Sequence, residues 1–144
     1  MRSGEDRSPL GSERTIAVLD SSVGVKWVKP EAGSDEALSL LQRHRDGEIQ
    51  LVVPAFFMHE VTAVAVRHGG ADLGARTWSA LQDAMLTVVR LDDTLAAAAF
   101  DQVERLGCTF YDALAPALAG LLGGTLYSAD QRAHSGVSDA VLLG

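Results

Sequence analysis

Four acidic residues stand at the edges of apolar segments: Asp20 in TIAVLDSS, Glu60 in VVPAFFMHEV, Asp112 in TFYDALAPALA and Asp130 in GTLYSAD. Asp20 and Asp130 each end a short β-rich run. Glu60 and Asp112 fall in the first turns of predicted helices. In a parallel sheet the C-terminal ends of strands and the N-terminal ends of helices share one edge, where ligands bind. Carboxylates gathered there repel. Two unit charges about 5 Å apart cost roughly 3 kcal/mol at an effective dielectric near 20, so a cluster of four calls for protons or a cation. A hard, oxygen-seeking ion, Mg²⁺ or Mn²⁺, suits such a donor set. The chemistry indicated is metal-assisted cleavage of a phosphoester.

The elements that must position these acids follow from the apolar pattern. Thr15 to Leu19 reads as a buried first strand, and LVV at 51–53 as a second, stopped by Pro54. TVVRL at 87–91 is a third, TLYSA at 125–129 a fourth, and Val137 to Leu143 a candidate fifth. Between them lie a short turn or helix at VGVKWV, then a helix capped by Ser34 with Asp35 and Glu36 in its first turn. Two more helices, about 55–68 and 72–85, flank Gly69-Gly70. Asp92-Asp93-Thr94 caps LAAAAFDQVERL, and a last helix spans 111–122. Strands alternating with helices predict an α/β fold with a parallel sheet of four to five strands.

The chain has 144 residues, 47% hydrophobic and 22% charged, as expected of one ordinary globular domain over residues 14–144. Residues 1–13, rich in Gly, Ser and charge, read as a flexible tail without a signal peptide's apolar core. No apolar run approaches the ~20 residues of a membrane helix. The lone Cys108 excludes an intrachain disulfide and fits a reducing cytoplasm, where it reads as a small core residue. Nineteen acids against twelve Lys and Arg leave a net charge of −7. That balance opposes broad phosphate gripping, so a nucleic acid must be held locally, and it favours a basic protein partner.

The segments VLDSSVGVKWVKPEAGSDEALSLL, VVPAFFMHEV, FYDALAPALA and TLYSAD, in this order and spacing, resemble the PIN-domain proteins, and among them the VapC-type toxin ribonucleases of toxin–antitoxin pairs. The resemblance runs from about residue 16 to 132. It implies a three-layer α/β/α sandwich. It places Asp20, Glu60, Asp112 and Asp130 on the acidic positions of a catalytic metal site, with Ser22 and Ser128 as supporting hydroxyls. It further implies Mg²⁺- or Mn²⁺-dependent endoribonuclease activity on single-stranded or structured RNA in the cytoplasm. The implied partner is an antitoxin whose basic C-terminal segment covers the site, and the implied assembly is a homodimer through apolar helix faces, including the helix of Trp78.

Three departures stand against the pattern. Pro116 lies inside the YDALAPALA helix, where it has no N–H for the carbonyl of Asp112 and its ring crowds that carbonyl; a kink beside a metal ligand is the expected result. The helix after Glu60 lacks a frequent amide residue. The net acidity leaves Lys26, Lys29, Arg67 and Arg132 as local cations. Plainer readings accompany each acid: Asp20 and Asp130 as caps or turn formers, Asp112 as a complement to its own helix dipole, Glu60 as a solvent-facing residue. His59 reads as structural and His134 as a surface histidine. The alternative function is a binding module with a degenerate metal site. A phosphotransferase with an aspartyl nucleophile is disfavoured, because Ser22 stands two residues after Asp20 and no Lys follows Lys29.

Overall fold

Period-two alternation along the strands divides the core between two faces of one sheet. In the computed structural model, which describes residues 14–144, the elements run β1 (Thr15–Leu19), α1 (Ser21–Val28), α2 (Ser34–Arg45), β2 (Ile49–Pro54), α3 (Ala55–Asp83), β3 (Thr87–Val89), α4 (Asp93–Leu106), α5 (Phe110–Leu122), β4 (Thr125–Ser128), α6 (Gln131–His134) and β5 (Val141–Leu142). The predicted tail over 1–13 lies outside the described residues. The sheet order is β3-β2-β1-β4-β5, and every neighbouring pair is parallel. Ala17 stands opposite both Leu51 of β2 and Thr125 of β4.

Ala17, Leu19, Leu51 and Val53 bury against Val23, Ala37, Leu40, Phe57 and Val61, from α1, α2 and α3. Their strand neighbours Val18, Val52 and Leu126 bury on the opposite face against Leu95, Ala99, Leu114 and Leu118, from α4 and α5. Side chains of consecutive strand residues point to opposite faces, so the two helix layers enclose the sheet. This is the three-layer α/β/α arrangement, with five strands.

Most predicted boundaries lie within a few residues of the observed ones. The second strand runs farther, to Pro54, which pairs with Val89 and also forms the N-terminal boundary of α3. The two predicted helices around Gly69-Gly70 form one assigned helix, but Gly69 and Gly70 leave helical geometry, Gly70 at φ 78°, so the chain turns there. Ser34 is not the cap of α2. Gly33 holds that position, while the Ser34 hydroxyl accepts from the Glu31 amide and donates to the Lys26 carbonyl. Lys26, read as a cation near the site, is buried, and its ammonium is held by Glu31 at 3.1 Å and by the Ala32 carbonyl. No helix among the described residues is long and apolar enough to cross a membrane.

Candidate active site

The sheet order makes a switch point. From β1 the chain moves through α1 and α2 to β2 on one side, and it returns through α4 and α5 to β4 on the other. Connections leaving in opposite directions open a crevice at the C-terminal ends of the two central strands. Asp20 follows the last residue of β1, and Asp130 follows β4 by two residues. Asp112 enters from the first turn of α5. Glu60 rides on α3, which starts where β2, the other neighbour of β1, ends. The four acids therefore share one edge of the sheet.

Asp20 is 8% exposed. Its backbone N–H donates to the Tyr127 carbonyl at 3.0 Å, pinning the end of β1 to β4. Its carboxylate caps α1, accepting from the Ser22 amide at 3.0 Å and the Ser22 hydroxyl at 2.6 Å. The plainer cap reading is thus correct in geometry. Burial raises the Asp20 carboxyl above its ordinary value. The Ser22 hydroxyl and the Ser22 amide pull it back, and the charge of Asp112 adds to the rise. Asp130 caps α6 through the Ala133 amide at 3.0 Å. Thr109 caps α5 by accepting from the Asp112 amide at 3.1 Å, which leaves the Asp112 carboxylate free of that task.

A second reporter lies beside them. Cys108 is half-buried, and its thiol is pushed up first by burial, then by the charge of Asp112, with Asp130 and Asp20 adding to the rise and a local backbone hydrogen bond opposing it. The rise sets Cys108 in the negative field of this edge, beside Asp112, with which it lines one cleft. It also makes Cys108 a poor nucleophile. Next to Asp112 a cleft of about 420 Å³ is lined by Cys108, Thr109, Asp112 and Arg132, among others. Arg132 is exposed and is the cation that the fold places at this cleft.

Glu60 is half-buried, and none of the described hydrogen bonds or ion pairs joins it to the aspartates. Among the described residues no group of three or more His, Cys, Asp and Glu side chains is arranged to hold a metal ion. The donor chemistry nonetheless fits a hard cation. The three aspartates offer only carboxylate oxygens, Asp20 is buried at a cost to its charged form, and among the described ion pairs none of the three has a Lys or Arg partner.

The two supporting serines meet. Ser22 Oγ and Ser128 Oγ are 3.4 Å apart; Ser22 accepts from the Ala129 amide at 2.9 Å and Ser128 from the Asp130 amide at 3.0 Å. Behind them lies the residue that sequence reasoning misplaced. His134 is not on the surface but 0% exposed. One ring nitrogen, Nδ1, is 2.6 Å from Ser128 Oγ, and the other, Nε2, is 2.6 Å from the carbonyl oxygen of Asp112. The signal for it was Pro116, whose absent N–H leaves that carbonyl in need of a donor and from which a kink was expected instead. α5 runs through Pro116 as a single helix.

Among curated proteins no sequence matches the chain. Solved structures match its fold. A toxin–antitoxin complex from Klebsiella pneumoniae aligns at TM-score 0.69 and 18% identity, over 87% of this chain and 95% of that one. VapC20 from Mycobacterium tuberculosis, described as a sarcin-ricin loop cleaving toxin, aligns at TM-score 0.69 and 14% identity, over 89% and 99%. VapBC2 from Rickettsia felis, bound to a promoter DNA fragment, aligns at 0.68 and 11%, over 88% and 96%. The model of the PIN domain matches residues 17–137, a span that includes all four acids and both serines. The chain belongs to the PIN domain family.

Proposed function

We propose that this chain is a divalent-metal-dependent endoribonuclease acting on single-stranded or structured RNA, and that it is the toxin of a toxin–antitoxin pair. The observation that supports the reading is the placement of Asp20, Asp112 and Asp130 at one edge of the sheet, with Asp20 buried and without a cationic partner among the described ion pairs. Support for the toxin role comes from fold neighbours described as a toxin–antitoxin complex and as a sarcin-ricin loop cleaving toxin. Asp20, Asp112 and Asp130 would hold Mg²⁺ or Mn²⁺, with Glu60 beside them. Such an ion, when bound, supplies an acidified water nucleophile and offsets charge on phosphoryl oxygens.

The chain's own residues do the rest. Ser22 and Ser128 orient the loops bearing Asp20 and Asp130 through hydroxyl contacts. Arg132 stands at the cleft where an RNA phosphate can pair with it. The acidic crevice would receive the basic C-terminal segment of an antitoxin. Exposed apolar groups on α2 and α3, Leu38, Val66 and Trp78, would contribute to a homodimer or to the antitoxin interface. An RNA-cleaving toxin of this kind would work in the cytoplasm.

The test is cleavage of a structured RNA with Mg²⁺ or Mn²⁺. Activity should vanish in EDTA and fall on the order of 100-fold or more in Asp112→Asn. Full activity of Asp112→Asn would refute the reading. The lack of a complete three-ligand group among the described residues favours a second reading, a PIN-fold binding module with a degenerate site. Mn²⁺ titration separates the two, since the module would bind RNA or a partner while holding Mn²⁺ weakly and leaving RNA uncut.

A further inference from the structure

A helical carbonyl ordinarily accepts from the N–H four residues on. For Asp112 that residue is Pro116, which has none. The carbonyl lies in the first turn of α5, beside the carboxylate of the same residue. A buried carbonyl without a donor is costly, and the donor here comes from another element. Nε2 of His134 approaches it at 2.6 Å. A carbonyl can only accept, so Nε2 carries a proton.

The other end of the ring faces a second polar group. Nδ1 is 2.6 Å from Ser128 Oγ, which already accepts the Asp130 amide at 3.0 Å. With the ring neutral, the Ser128 hydrogen goes to Nδ1. The Ser22 hydrogen goes to Asp20 Oδ2 at 2.6 Å, while Ser22 accepts from the Ala129 amide. The two hydroxyl oxygens then rest against each other at 3.4 Å without a shared hydrogen. Each hydrogen in the row has one assigned acceptor.

His134 gets there by local rules. Asp130 caps the single turn of α6 by accepting from the Ala133 amide, and the His134 amide donates to the Asp130 carbonyl at 3.0 Å. The segment after β4 is thus wound into one turn that ends at His134. There the imidazole touches the α5 segment bearing Asp112 and, through Ser128, the loops bearing Asp130 and Asp20.

We infer that His134 is a positioning residue that replaces the N–H missing at Pro116 and locks the Asp112 segment to the Ser128–Ser22–Asp20 row. The inference rests on the nuclease reading for its effect on rate, but its geometry stands without it. Supporting groups of this kind usually change activity or metal affinity about 10–100-fold when removed.

The test is a cycle between His134 and Pro116, with three readouts. His134→Asn keeps an oxygen near the Nδ1 position for Ser128 but cannot reach the Asp112 carbonyl. Pro116→Ala returns an N–H to that carbonyl. In the metal-free protein, the thermal midpoint of His134→Asn should drop less in the Pro116→Ala background than in the parent. In RNA cleavage, His134→Asn should lower kcat about tenfold with KM within about threefold, and Pro116→Ala should restore part of kcat. In the unmutated protein, ¹⁵N shifts of the His134 ring should show a protonated Nε2 and an unprotonated, hydrogen-bonded Nδ1. A proton on Nδ1, additive effects in the cycle, or an unchanged kcat would each overturn the inference. If Asp112→Asn cleaves RNA like the parent, the nuclease reading fails by itself, and the ring shifts and thermal cycle still decide the role of His134.

Discussion

The ring of His134 and the carbonyl of Asp112 are joined at 2.6 Å across elements that lie 22 residues apart in sequence. The contact reconciles two anomalies: a proline inside a helix whose first turn carries a candidate catalytic acid, and a fully buried histidine at the end of the short helix after the last aspartate. Neither has a separate explanation in the fold. Together they fasten α5 to the C-terminal edge of the sheet.

The raised Asp20 carboxyl makes metal-free stability depend on pH in a definite direction. Between the ordinary carboxyl value of 3.8 and the higher folded value, the folded state binds more protons than the unfolded state. Stability from this group therefore falls as pH rises through that window. Asp20→Asn removes the dependence while keeping a side chain able to cap α1. Thermal unfolding in EDTA should give a midpoint for Asp20→Asn equal to or above the parent at pH 7, with cleavage abolished. A large drop would show that the Asp20 charge is needed for folding.

Gly24 sets the approach of α1 to α3. A Cβ at that position would lie 2.5 Å from Val61 Cγ2 and 2.6 Å from Phe57 Cζ. Gly24→Ala should destabilise by about 1–3 kcal/mol, and Val61→Ala in the same chain should recover part of the loss. Urea unfolding of both variants measures this. Because Val61 neighbours Glu60, Gly24→Ala should also reduce cleavage beyond its effect on the folded fraction.

Cys108 reports the charge at the crevice. Its thiol is raised by burial and then by Asp112, so Asp112→Asn should lower it and speed alkylation by iodoacetamide at pH 8. Equal alkylation rates in parent and variant would show that Asp112 does not act on the thiol.

Docking of a basic antitoxin segment should depend on the same carboxylates. In a complex with its cognate partner, the Asp20→Asn/Asp112→Asn double variant should bind more weakly, and parent binding should weaken with added salt. Affinity indifferent to both changes would place the partner's cations elsewhere.

The order of strands and helices, the parallel sheet and the acids at its edge were legible from the chain, because burial on alternate strand faces and on one helix stripe leaves a periodic apolar record. Asp20 and Asp130 were legible as caps, since that role follows from ending a strand before a helix. What only tertiary structure decided was contact between groups distant in sequence. His134 reads as a surface residue because nothing local buries it; it is buried because β4 lies beside β1 and α5 packs across both. Lys26 reads as a free cation until the Glu31–Ala32 turn folds back on it. Pro116 reads as a defect when only its own helix is considered. The missing donor is supplied from across the fold, and a hydrogen bond between elements leaves no periodicity in either one.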